Sequence, residues 1–136
     1  MILFFFLDLK LVGTCLSGDI LGSGSTNDKE TSIYITSPNY PENYGSRSDC
    51  RWTITTLNEK MLVMELTFID FNTESNVDTL SIYNASDDDG EPIKKLSGFS
   101  TPSKIMLTGK LMHLKFTSDY NSNRRGFRIL LKAYGK

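Results

Sequence analysis

The sequence predicts an all-β fold, an antiparallel β-sandwich. Three observations carry this. From Ile33 onward, apolar residues recur at every second position; turn-forming residues separate the alternating runs; and no segment has an apolar stripe of helical period. Side chains of a strand point alternately to opposite faces. An apolar–polar alternation therefore marks a strand with one face on a core and the other towards solvent.

Taken in order, "SIYIT" (32–36) and "CRWTI" (50–54) are short alternating runs. In "MLVMELTF" (61–68), Leu62, Met64, Leu66 and Phe68 are expected on one face. "TLSIY" (79–83) and "SKIMLTG" (103–109) are shorter runs of the same kind. In "LMHLKF" (111–116), Met112, Leu114 and Phe116 point inward, with His113 and Lys115 outward. "FRILLKAY" (127–134) puts Phe127, Ile129, Leu131 and Ala133 inward, opposite Arg128, Lys132 and Tyr134. Pro38, Pro41, Asn58-Glu59, Asp89-Gly90, Pro102, Gly109-Lys110 and Gly126 supply turns between them. The "DDDGE" run from Asp87 to Glu91 reads as a solvated hairpin tip.

A chain of 136 residues suits one domain with a modest core. A net charge of −1 leaves no electrostatic footprint for nucleic acid. The first residues, "MILFFFLDLKLVGTCLSG", are the most apolar of the chain, yet too short for a bilayer span, which takes about 20 apolar residues. Residues 1–14 read as a secretory signal peptide; the alternative is a buried N-terminal strand. Residues 15–32, rich in Gly, Ser and Thr, read as a flexible lead-in, and the domain proper as 33–136. In a secreted chain, two cysteines, Cys15 and Cys50, suggest one disulfide. Signal cleavage near Gly13 or Cys15 would decide whether Cys15 survives to form it. Asn84 opens an "NAS" glycosylation sequon at a strand end.

Three acids stand out by position. Glu74 and Asp78 flank the short loop "ESNVD", and Asp119 opens the polar loop after "MHLKF". If these loops share one end of the sandwich, three carboxylates converge, and like charges held together need a cation or protons. Oxygen ligands of this kind suit Ca²⁺, with Asn121, backbone carbonyls and water completing the shell. The bland alternative is three solvated loop acids. Glu74 with Asp78 as a glycosidase pair is set aside for want of an aromatic cleft, and a lone histidine supports neither zinc nor a triad. The chain is read as non-catalytic.

Five stretches in order resemble one family. "ITSPNYPENY" is similar to the opening motif of CUB domains, and "CRWTI" to their second cysteine with its aromatic strand. "LTFIDFNTE", "VDTLSIYNA" and "LKFTSDYNSNRRGF" resemble the later strands and closing signature of that family. The resemblance runs from about Ile33 to Tyr134 and implies an extracellular β-sandwich that binds protein partners. In its calcium-binding members the ion ligands correspond to Glu74, Asp78 and Asp119, with Asn121 in support. Tyr44 corresponds to a tyrosine hydrogen-bonded to the acids, while Tyr40 is expected to pack in the turn. A basic side chain of an extracellular partner, lysine or arginine, is implied to dock there. Two departures stand out: the second disulfide of many members is absent, "SNV" filling the gap, and Val77 replaces the usual aromatic before Asp78. The alternatives are a glycan-binding module stacking sugars on Tyr40, Tyr44 and Tyr120, or a structural domain without metal. Oligomeric state is left open.

Overall fold

The computed structural model describes residues 2–6, 9–15, 22–24, 30–59, 62–121 and 123–135. The strands are β1 (Ile2–Phe6), β2 (Leu9–Gly13), β3 (Gly22–Gly24), β4 (Glu30–Thr36), β5 (Asp49–Thr56), β6 (Val63–Asn72), β7 (Thr79–Tyr83), β8 (Lys94–Leu96), β9 (Ile105–Thr108), β10 (Leu111–Thr117) and β11 (Gly126–Tyr134). No helix occurs among the described residues. One sheet has the order β1-β2-β5-β10-β7-β8 and the other β3-β4-β11-β6-β9, with every pairing antiparallel.

The inner faces meet in one core. Trp52, Ile54, Leu80, Ile82, Met112, Leu114 and Phe116 of the first sheet pack against Ile33, Ile35, Met64, Leu66, Phe127, Ile129 and Leu131 of the second. The Phe127 ring bridges the layers, edge-on to Trp52 at 6.1 Å and to Phe116 at 5.2 Å. Edge-to-face pairs of this kind add to the burial of each ring. The alternation expected for "FRILLKAY", "LMHLKF", "CRWTI" and "SIYIT" thus becomes the packed interface.

The structure differs from expectation at Leu62 and His113, and it adds detail at the end of β6 and within the stretches read as leader and lead-in. Leu62 lies outside β6 and is exposed, because the strand begins one residue later, at Val63. A register shift opposite Arg128 and Ile129 leaves Ile69 exposed and turns Phe71 into the core, which a strict period of two cannot anticipate. His113 is buried rather than exposed. It faces outward, but the loop after β7 folds over it. Leu9–Gly13, inside the stretch read as a leader, forms β2 beside β5, with Leu9 and Leu11 fully buried. The alternation of "LKLVG" satisfies a strand as well as a leader. Within the stretch read as a flexible lead-in, Gly22–Gly24 pairs with β4, and β4 itself starts at Glu30. The rest of that lead-in, 16–21 and 25–29, lies outside the described residues, as do residues 1, 7 and 8.

Cys15 and Cys50 form the expected disulfide, which ties the end of β2 to the start of β5. The Thr14 N–H donates to the Arg51 carbonyl at 3.0 Å, and the Arg51 N–H donates to the Thr14 hydroxyl at 3.0 Å.

Candidate functional site

Three loops gather at one end of the sandwich: 37–48 between β4 and β5, 73–78 between β6 and β7, and 118–125 between β10 and β11. Their backbones are laced together. The Ser118 N–H donates to the Ser48 carbonyl at 3.0 Å, and the Ser48 N–H donates to the Ser118 hydroxyl at 2.8 Å. The Arg47 N–H donates to the Asp119 carbonyl at 2.7 Å, and the Tyr44 N–H to the Arg124 carbonyl at 3.0 Å.

Gly126 allows the closest approach. Its φ of 89° is a conformation that favours glycine. A Cβ there would fall 1.9 Å from the Ser37 hydroxyl oxygen, which accepts the Phe127 N–H at 2.9 Å.

The 73–78 loop turns tightly on Glu74, whose carbonyl accepts the N–H groups of Val77 at 3.2 Å and Asp78 at 3.0 Å. Asn76 takes a positive φ of 62° within it. Its base is clasped by the connection between β8 and β9. The Thr73 N–H donates to the Gly98 carbonyl at 2.7 Å, and the Gly98 N–H returns a bond to the Thr73 hydroxyl at 3.1 Å.

The result is an acidic cluster. One carboxylate oxygen each from Glu74, Asp78 and Asp119 lies within 4.8 Å of the others, Asp78 being fully buried and its two neighbours half-buried. Asp78 Oδ2 accepts the Tyr44 hydroxyl at 2.5 Å, and Oδ1 accepts the Asp119 N–H at 2.9 Å. The Tyr44 oxygen in turn accepts the Glu74 N–H at 3.2 Å, so one phenol touches both acidic residues of the short loop. The ring beneath packs edge-on to Phe116 at 4.9 Å. Burial, reinforced by the hydrogen bond to Asp78, pushes the Tyr44 phenol far above its ordinary 10.0, so it stays a donor.

Asn121 is exposed, and its backbone N–H donates to Asp119 Oδ1 at 3.2 Å. Among the described residues none of the three acids has a lysine, arginine or histidine partner. A buried carboxylate gathered with two like charges and no basic partner is chemistry that suits a bound divalent cation. The donor set is all oxygen, as Ca²⁺ prefers.

Tyr40 does more than pack in its turn. Its hydroxyl donates to Asp70 Oδ2 at 2.7 Å, beside a two-pronged contact from Arg125 at 2.6 and 2.7 Å. Arg125 holds the Asp70 carboxyl below its ordinary range, with the Tyr40 bond adding to this against the opposing effect of burial. Burial and the Asp70 contact raise the Tyr40 phenol. No local pattern links residues 30 and 55 positions apart, so this cluster leaves no trace in the sequence.

A second cluster on the outer face of the first sheet also escaped the sequence reading. His113 Nε2 meets Asp88 Oδ2 at 2.9 Å, and its Nδ1 meets the Thr53 hydroxyl at 2.8 Å. Arg51 Nε donates to the same Asp88 oxygen at 2.8 Å. Burial alone would raise the Asp88 carboxyl, but the contacts with His113 and Arg51 hold it below the ordinary value. Within the run expected as a solvated tip, Asp88 is thus pinned to the sheet, while Asp87, Asp89, Gly90 and Glu91 are exposed as expected. Asn84 at the root of that loop is exposed, as a sequon acceptor must be. Of the tyrosines considered for sugar stacking, Tyr40 and Tyr44 are committed to carboxylates, and only Tyr120 is freely exposed.

Architecture and site together define an all-β sandwich domain with an acidic loop end. The chain belongs to the CUB family: the family model described as CUB domain matches residues 24–131. It is similar to dog cubilin, 34% identical over 108 residues, which cover 76% of this chain and 3% of cubilin. It is also similar to zebrafish neuropilin-1a, 30% identical over 138 residues, covering 98% of this chain and 15% of that protein. The chain therefore spans only a small part of these relatives. Among solved structures it resembles the MASP-1 CUB2 domain bound to Ca²⁺, with a TM-score of 0.63 and 26% identity, covering 85% of this chain and 97% of that one. CUB domains are extracellular protein-binding modules, generally without catalytic activity of their own. No helix among the described residues is long and apolar enough to cross a membrane.

Proposed function

We propose that this chain is a secreted, non-catalytic module that recognises a protein partner through a Ca²⁺ site. Glu74, Asp78 and Asp119 would hold the ion, Tyr44 and Asn121 would fix two of those carboxylates, and a lysine or arginine of an extracellular partner would dock against the cluster. One observation carries the reading: three carboxylates within 4.8 Å of one another, one of them fully buried. The similarity to a CUB domain bound to Ca²⁺ supports it. The ion would order the loops and neutralise the cluster, while outer carboxylate lone pairs accept a charge-assisted hydrogen bond from the partner.

The test is a Ca²⁺ titration of chelator-stripped protein by calorimetry, with thermal unfolding in parallel. Saturable binding is expected, with a stability gain of about 2.7 kcal/mol at a hundredfold excess over Kd. Asp119→Ala should lose both the heat and the gain. Unchanged unfolding of the native protein in millimolar Ca²⁺ would refute the ion site. Partner capture that persists in chelator would refute its role in recognition.

A further inference from the structure

The two sheets end on the same flank in short strands, β8 and β9. Between them lies a groove of about 270 Å³ lined by Lys94, Leu96, Pro102, Ser103, Lys104 and Ile105. Leu96 and Ile105 are half-buried against the core, so the floor is the open lateral mouth of the sandwich. Neither strand has a partner on its outer edge among the described residues.

The charge here has a direction. Lys94 pairs with Ile82 and Leu96 with Leu80, two fully buried residues, so Lys94 and Leu96 share the inner face of β8. Lys95 pairs with Ser81 and faces the other way. Lys94 and Lys95 have no ion-pair partner among the described residues, whereas Lys104 is held by Glu65. Lysines on edge strands discourage pairing with neutral or basic strands. They do not discourage an acidic one. The ammonium at the mouth and the leucine two positions on make a complementary pattern: a carboxylate at one residue of an extended segment and an apolar side chain two residues along.

We propose that this flank is a second docking surface, independent of the acidic loops, which takes an extended acidic segment of a partner protein along β8. The carboxylate meets Lys94, the apolar side chain enters the groove over Leu96, Pro102 and Ile105, and the segment's backbone pairs with the open edge. Strand addition of this kind draws affinity from the main chain and specificity from alternate side chains.

The test uses the isotope-labelled full chain in chelator, which removes any contribution of an ion at the loop end. The probe is a blocked threonine pentapeptide with glutamate at its second position and leucine at its fourth. Saturable amide shifts are expected at 94–96 and 102–106, weakening with salt. A control peptide with lysine for glutamate should bind at least about fivefold more weakly, as should Lys94→Glu with the original peptide, while Lys95→Glu should change affinity by less than about twofold. Both lysines are exposed, so each variant is expected to keep the native amide spectrum. The proposal is overturned if no shifts arise there, if the lysine peptide binds equally well, or if the two lysine variants behave alike. None of these outcomes touches the Ca²⁺ reading.

Discussion

Replacing Tyr44 with phenylalanine removes one oxygen and leaves the ring. The ring keeps its edge contact with Phe116, so no cavity opens and the change isolates the hydroxyl. That hydroxyl donates to Asp78 Oδ2 at 2.5 Å and accepts the Glu74 N–H at 3.2 Å. A hydrogen bond to a charged group contributes about 1.5–3 kcal/mol, and an orphaned N–H costs about 1 kcal/mol more. Tyr44→Phe should therefore destabilise the domain by about 2.5–4 kcal/mol in chelator, measured by urea unfolding at neutral pH with an unchanged denaturant slope. A loss below about 0.5 kcal/mol would show that water replaces the phenol at Asp78, and the account of the site would fall. The alkaline limb gives a second check. The folded phenol titrates above its unfolded value of 10.0, so its contribution is fully present below pH 10.0 and is lost as pH rises through the folded value. Of six tyrosines, at least one should thus resist ionisation until the protein unfolds. In Tyr44→Phe that late ultraviolet step should shrink by one tyrosine, leaving the smaller upward shift of Tyr40 in place.

Gly126→Ala forces a Cβ into the Ser37 hydroxyl at 1.9 Å on a backbone of φ 89° and should cost about 3 kcal/mol or more by thermal unfolding. Replacing both Cys15 and Cys50 with serine opens a loop of sequence separation 35, and the chain-entropy model gives a loss of about 4 kcal/mol by denaturant unfolding. Asp70 has a depressed folded pKa, so its contribution is present above the ordinary value of 3.8 and lost as pH falls through the folded value. Stability measured against pH should accordingly fall more shallowly in acid for Asp70→Asn than for the native chain.

The strands were legible wherever one face is buried and the other wet, because a period of two then follows from the pleat. "FRILLKAY" and "LMHLKF" kept their phase in every apolar residue. The reading failed where something non-local intervened. At β6 a register shift breaks the period of two beyond Phe68, and at His113 a loop from elsewhere in the chain replaces solvent. At the N-terminus, apolar alternation alone does not separate a leader from a strand. The acidic cluster could be named because its residues sit at strand ends in a familiar order. The Tyr40–Asp70–Arg125 contact could not, since it depends on how a loop crosses the face of the second sheet.

The Cys15–Cys50 bond also decides how the domain would carry a pull. Tension entering through the β1–β2 hairpin crosses the bridge directly into β5, a central strand of its sheet. The chain between the two cysteines, including β3 and β4, lies outside that path. Under stretching the oxidised domain would hide the extensible length of that loop, and reduction would release about 120 Å of contour at about 3.4 Å per residue. In an extracellular setting, the same bond that closes a loop would act as a redox-gated stop on extension.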